Sequence, residues 1–219
     1  GIAGFYYIND GRNHVYQCKA KGVFRNRKIK PLVGDNVEFS VLDEEEKEGN
    51  IDAILPRSNV LIRPAVANVD QALVVFAITQ PDPNFNLLDR FLIMMLAQDI
   101  PVTICFNKID LESEEKQEEY RKIYEQAGYP VMFVSTYKKT GVEAVRAYLR
   151  GKTTILAGPS GVGKSSLTNL LQPEAAMETG TISEKIKRGK HTTRHAELFC
   201  VEEDTYLMAM SGQTDLIWS

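Results

Sequence analysis

The run Gly158-Pro-Ser-Gly-Val-Gly-Lys-Ser165 carries the first chemistry legible in this chain. Glycines at Gly158, Gly161 and Gly163 let backbone N–H groups turn inward around an anion. The Lys164 ammonium can then reach the β- and γ-phosphates of a nucleoside triphosphate, and the Ser165 hydroxyl can ligate Mg²⁺. An apolar run, TTILAG (153–158), precedes the string, and a helical pattern, KSSLTNLL (164–171), follows it. The N-terminus of that helix adds partial positive charge where phosphate would sit. The spacing predicts a nucleotide-binding loop of Gly158, Pro159, Ser160, Gly161, Val162, Gly163, Lys164, Ser165 and Ser166. A glycine-rich turn that matches by chance would not need the strand, the Lys-Ser pair and the helix together.

The loop does not choose a base, but a second string does. FNKID (106–110) ends another apolar run and delivers Asn107, Lys108 and Asp110. A carboxylate at Asp110 can accept from guanine N1–H and from its 2-amino group. Adenine offers neither donor there and would leave the carboxylate unpaired. The Lys108 stem can cover the base, and Asn107 can tie neighbouring loops together. VST (134–136) ends the next apolar run, so Ser135 and Thr136 can offer backbone N–H groups to guanine O6. Alone, N-K-x-D is a weak signal; beside a phosphate loop in one sheet it is strong. In most GTPases the phosphate loop comes first. Here N-K-I-D precedes it by about fifty residues, the sign of a circularly permuted domain, which is physically cheap because domain termini often lie close together.

These loops need a sheet to hold them. From residue 69 onward, buried-strand patterns (ALVVFAIT, PVTICFNKID, PVMFVST, TTILAG) alternate with helical ones (86–99, 113–128, 142–151). That alternation predicts a mostly parallel sheet covered on both faces, with ligands beyond the carboxyl ends of its strands. Residues 1–64 read as all-β, with short alternating runs at 4–8, 14–20, 21–25, 36–42 and 49–56 separated by turn-like segments. Such spacing predicts an OB-type barrel, with an SH3-like barrel as the alternative. The expected division is 1–64 and 65–219, with 64–69 as the linker. The formal charge of −3 does not mark a nucleic-acid binder. Three scattered cysteines argue against a disulfide framework and a four-ligand zinc site. Apolar runs are too short to span a bilayer. A monomeric cytoplasmic protein without membrane attachment is the expectation, although the first residue is Gly rather than Met.

The chain resembles the circularly permuted ribosome small-subunit biogenesis GTPases, the RsgA (YjeQ/YloQ) family. The resemblance rests on LIRP (61–64), NVDQALVVF (68–76), LLDRFL (87–92), NKID, GPSGVGKSSL and GKHTTRH (189–195), and it runs to about residue 208. It implies an N-terminal OB domain, a permuted GTPase domain and a C-terminal zinc-binding domain. It also implies GTP/GDP and Mg²⁺ at the site, and GTP hydrolysis stimulated by the small (30S) ribosomal subunit with its 16S rRNA, in late subunit maturation. The family's Zn²⁺ ligands are absent from this sequence.

A GTPase needs a switch threonine that binds Mg²⁺ and senses the γ-phosphate. In ISEKIKRGKHTTRHAEL (182–198) Thr192 and Thr193 both qualify, and Thr193 is preferred. His191 and His195 flank them; each can position water or contact RNA, or be an ordinary solvated histidine. Lys164, Thr193, His191 and His195 form the expected catalytic set, with Ser165 and Thr193 on the metal. A D-x-x-G should follow the next strand pair. Ala209 stands in place of its Asp, where the family shows D-T-P-G, and only Gly212 fits. An alternative therefore stands beside the enzyme: an OB rRNA-binding module whose nucleotide domain binds without turnover.

KAKGVFRNRKIK (19–30) places six cations among twelve residues. Composition leaves a solvated hairpin and an RNA groove equally open; the resemblance implies RNA, through Lys19, Lys21, Arg25, Arg27, Lys28 and Lys30. Tyr6, Tyr7, Tyr16 and Phe24 are candidate stacking residues, although some must fill the barrel.

Overall fold

The computed structural model describes residues 4–11, 14–20, 22, 24, 30–62, 65–172 and 195–211. The N-terminal strand-rich region holds β1 (Phe5–Asn9), β2 (Val15–Ala20), β3 (Val37–Asp43) and β4 (Glu48–Ile54), in the sheet order β1-β2-β4-β3. The β2–β4 pair is parallel and the other two pairs are antiparallel. Its core gathers Tyr16, Cys18, Phe24 and Ile51, with Tyr6, Ile8 and Phe39 packed against them. Alternation along β1 puts Tyr6 and Ile8 on this core and Phe5 and Tyr7 on the other face.

Of the run 21–25, expected as a strand, the described residues Gly22 and Phe24 have helical backbone, and Phe24 is buried on the core. Five residues with two apolar side chains fit a helical turn as well as a strand, so the pattern did not decide.

The segment expected as a linker is not solvated. β5 (Val60–Leu61) and β6 (Val66–Ala67) form a small hairpin, and Val66, Ala67 and Val69 are buried. Leu61, Val66 and Val69 join the core of the following sheet. The turn before β3 is fastened to this hairpin. The Ala67 N–H donates to Val33 O at 2.9 Å, and Asn68 Nδ2 donates to Gly34 O at 2.8 Å. Gly34 has φ +92, and a Cβ there would fall 2.1 Å from Ala67 O and 2.4 Å from Met208 Cε. Arg57 closes the same turn with a two-pronged ion pair to Asp35, at 2.6 and 2.8 Å.

The second sheet follows the predicted alternation. β7 (Gln71–Ala77), α1 (Phe85–Leu96), β8 (Val102–Asn107), α2 (Glu114–Gln126), β9 (Val131–Phe133), α3 (Val142–Leu149), β10 (Thr153–Ala157) and α4 (Lys164–Leu171) succeed one another, then β11 (His195–Glu202) and β12 (Thr205–Ser211). The strand order is β11-β12-β10-β7-β8-β9, parallel except for edge strand β11. Along β7, Ala72, Val74 and Phe76 face one core while Leu73, Val75 and Ala77 face the other. That two-sided burial is why QALVVFA reads as an unbroken apolar run. Helix starts are locally encoded: Asn84 caps α1 through the Leu87 N–H, and Ser113 caps α2 ahead of Glu114 and Glu115.

Candidate guanine-nucleotide site

β10, β7, β8 and β9 are consecutive parallel strands, so the carboxyl ends of β8, β9 and β10 open on one edge of the sheet and bring the two sequence motifs together. Asn107 is the fastener. Fully buried at the end of β8, it donates from Nδ2 to Val162 O at 2.9 Å and to Thr136 Oγ1 at 3.3 Å. Its Oδ1 accepts from the Lys108 N–H at 2.8 Å and the Thr136 N–H at 3.1 Å. One amide thereby joins the reader strand, the β9 loop and the phosphate loop.

The phosphate loop fits against this fastener without spare room. A Cβ on Gly163 (φ +95) would stand 2.2 Å from Asn107 Nδ2, and one on Gly158 (φ +141) would stand 2.0 Å from Val75 O. Both positions demand glycine twice over, for backbone conformation and for space. Lys164 folds back, with Nζ donating to Gly158 O at 2.7 Å and to Pro159 O. Burial pushes its ammonium below the ordinary lysine pKa. A phosphate at the loop would reverse that pressure, because a nearby negative charge favours the protonated form. Ser165 and Ser166 are exposed in the first turn of α4, and Val162 is buried beneath the loop.

Lys108 takes a left-handed backbone conformation, φ +65, and its Nζ donates to Gly161 O at 2.9 Å and to Gln80 O. Its stem thus bridges from the reader to the phosphate loop, the placement that base coverage needs. Asp110 accepts from Ser135 Oγ, which in turn accepts from the Lys138 N–H at 2.9 Å. The Ser135 hydroxyl, the Thr136 hydroxyl and the Gln80 carbonyl were not expected from sequence. Hydroxyl roles at the ends of other strands leave no local pattern, and a backbone carbonyl leaves none at all.

At the opposite edge of the loop, β12 lies beside β10 with Ala209 paired to Leu156, two residues before Gly158. The position at which the sequence leads to the expectation of a metal-linked acid is therefore beside the phosphate loop, and it carries a methyl group. Thr193, Thr192, His191 and Gly212 lie outside the described residues; His195 opens β11, but its side chain lies outside them. Of the basic set, Lys21, Arg25, Arg27 and Lys28 also lie outside. Lys19 and Lys30 are exposed, with Lys19 Nζ 5.1 Å from the centroid of the Phe5 ring. Tyr16 and Phe24 are buried and Tyr6 packs on the same core, so these three fill the module and do not form a stacking platform. No helix among the described residues is long and apolar enough to cross a membrane.

Comparison with known proteins agrees with this geometry. The family model for RsgA GTPase matches residues 54–216, and that for the RsgA N-terminal domain matches residues 1–51. The chain is 58% identical over 222 residues to the small ribosomal subunit biogenesis GTPase RsgA of Agathobacter rectalis, covering 97% of this chain and 74% of that protein. It is 52% identical over 216 residues to the protein of the same name from Alkaliphilus metalliredigens, covering 99% and 74%. Among solved structures, YjeQ from Thermotoga maritima is similar with a TM-score of 0.73 at 30% identity, over 94% of this chain and 70% of that one. YloQ, a circularly permuted GTPase, is similar with a TM-score of 0.69 at 36% identity, over 95% and 67%.

Proposed function

The chain belongs to the RsgA family, and from that premise we propose that it is a GTPase that binds GTP and GDP and hydrolyses GTP while docked on the small ribosomal subunit during late subunit maturation. One observation carries the nucleotide half of the reading. Asn107 joins the guanine-reading strand directly to the phosphate loop, at 2.9 Å from Val162 O, so base and phosphates are read by one rigid unit. The relatives' printed name carries the subunit half.

In this reading Asp110 accepts from guanine N1–H and the 2-amino group, already oriented by Ser135 Oγ. The backbone N–H groups of Ser135 and Thr136, expected at guanine O6, are instead bonded to Thr140 O at 2.9 Å and to Asn107 Oδ1 at 3.1 Å, so they frame the base pocket without donating into it; the Lys108 stem covers the base. The N–H groups of the phosphate loop hold the β-phosphate, and Lys164 exchanges its loop carbonyls for phosphate oxygens. Ser165 and Thr193 would hold Mg²⁺, which would supply charge neutralisation at the phosphates. His191 and His195 position the attacking water or contact RNA. Residues 1–64 form the RNA-facing module, with Lys19, Lys21, Arg25, Arg27, Lys28 and Lys30 toward 16S rRNA phosphates, and residues 65–219 form the nucleotide module. The β5–β6 hairpin is their seam.

Ala209 favours a second reading, binding without turnover, because no acid stands there to hold a metal-bound water. Phosphate release from GTP, with and without purified small subunits, decides between them. Release that rises when subunits are added supports the enzyme; saturable GTP binding with no release in either condition supports the binding module.

A further inference from the structure

The six residues from Ser135 to Thr140 form a tight knuckle at the mouth of the site. Ser135 and Thr140 exchange both backbone hydrogen bonds, at 2.9 and 3.1 Å, and the Lys138 N–H closes the turn onto Ser135 Oγ. A loop fastened at its base presents Tyr137, Lys138 and Lys139 to solvent. Tyr137 is 80% exposed, the same value as Ile62 and well above the other exposed apolar side chains. The Lys138 ammonium stands 5.2 Å from the centre of its ring. Neither Lys138 nor Lys139 has a carboxylate partner among the described residues, whereas Lys116, Arg121 and Lys122 on α2 are each paired with a glutamate.

An exposed aromatic ring with two unneutralised ammonium groups, on a loop with little freedom left to lose, is the combination that binds unpaired RNA: cations for the backbone, a flat ring for a base. We propose that the Tyr137-Lys138-Lys139 knuckle is a second RNA-contacting surface, on the nucleotide module, that takes an unpaired segment of small-subunit rRNA. Because the knuckle's base is Ser135, whose hydroxyl meets Asp110, RNA held at the tip bears on the guanine reader itself. The surface rests on the subunit-docking reading above.

The test uses the full chain in two forms: Tyr137→Ala with Lys138→Gln and Lys139→Asn, and the two lysine substitutions alone with the ring kept. Asn suits the left-handed backbone at Lys139, φ +57. Affinity for purified small subunits is measured at several salt concentrations, and GDP affinity in their absence. The triple variant should bind subunits about tenfold more weakly, since one lost stack alone accounts for that factor. The double variant should show a log K against log salt slope shallower by about 1.4, two phosphates at roughly 0.7 each. GDP affinity should stay within about twofold in both. Unchanged subunit affinity in the triple variant overturns the proposal. A fall in GDP affinity as large as the fall in subunit affinity also overturns it, because the ring would then belong to the base pocket. If the unmodified chain binds no subunits at all, the docking reading fails first and takes the knuckle with it.

Discussion

The two ends of the nucleotide site are built to different standards. At the base end, Asn107 spends both amide protons and its carbonyl on three segments, Lys108 bridges two loops, and Asp110 is held by Ser135. At the γ-phosphate end, β12 brings a methyl group, Ala209, alongside Leu156. Under the proposed function, the contrast would let recognition and turnover vary separately: the polar groups at the base end are already satisfied among themselves, while position 209 offers no polar group.

Breaking the base end should produce the largest effect. Asp110→Asn replaces a carboxylate that accepts two guanine donors with an amide that can accept only one. GDP affinity should fall roughly ten-thousandfold, as for a site built around hydrogen bonds that its ligand no longer matches, while xanthine nucleotides gain. Competition titrations with GDP and XDP read this directly; an unchanged GDP-to-XDP ratio would remove Asp110 from the base-reading role.

Lys164→Ala tests the shared middle of the site. The loop should persist, since among the described residues the Lys164 ammonium donates only to the loop carbonyls of Gly158 and Pro159. GTP affinity should drop roughly a hundredfold, about 3 kcal/mol for a charge-assisted contact to phosphate, with little change in melting temperature. Wild-type GTP affinity would contradict the assignment.

Asn107→Ala should instead cost stability along with affinity. It strands the Val162 carbonyl and the Thr136 N–H in a buried place, about 3 kcal/mol in all. Thermal unfolding should shift down by roughly 6–12 °C for a chain of this length, and GDP affinity should weaken by roughly tenfold. A melting temperature within a degree of the parent would mean that the three-loop junction is not what holds the pocket.

The same contrast governs how much was legible in the sequence. β7, the phosphate loop and N-K-I-D were legible because each is a contiguous pattern: an apolar run, glycines at fixed spacing, polar residues closing a strand. The junction at Asn107 was legible only as a possibility, because its partners Thr136 and Val162 lie 29 and 55 residues away. PAVANV reads as the linker, and its burial was not legible. Pro and Asn mark a chain break locally, but Val66 and Val69 enter a core formed by strands much later in the chain. Which of the N-terminal aromatics fill the core was illegible for the same reason. Tyr16 and Phe24 carry the composition of a stacking platform, and only the positions of Cys18 and Ile51 around them turn them into core. Ala209 stood out in the sequence because a departure from a fixed spacing is itself a pattern, and β12 places it beside Leu156.

The proposed function implies that Ala209 weakens contact with the third phosphate and leaves guanine recognition untouched. Titrating GDP and a slowly hydrolysed GTP analogue, with Mg²⁺, into the unmodified chain and into Ala209→Asp tests it most directly. GDP affinity should be the same in both, because none of Asn107, Lys108, Asp110 or Lys164 is touched. The triphosphate should gain roughly tenfold in the substituted chain, about 1.4 kcal/mol for one charge-assisted, water-mediated contact. Equal triphosphate-to-GDP ratios in the two chains would contradict the account.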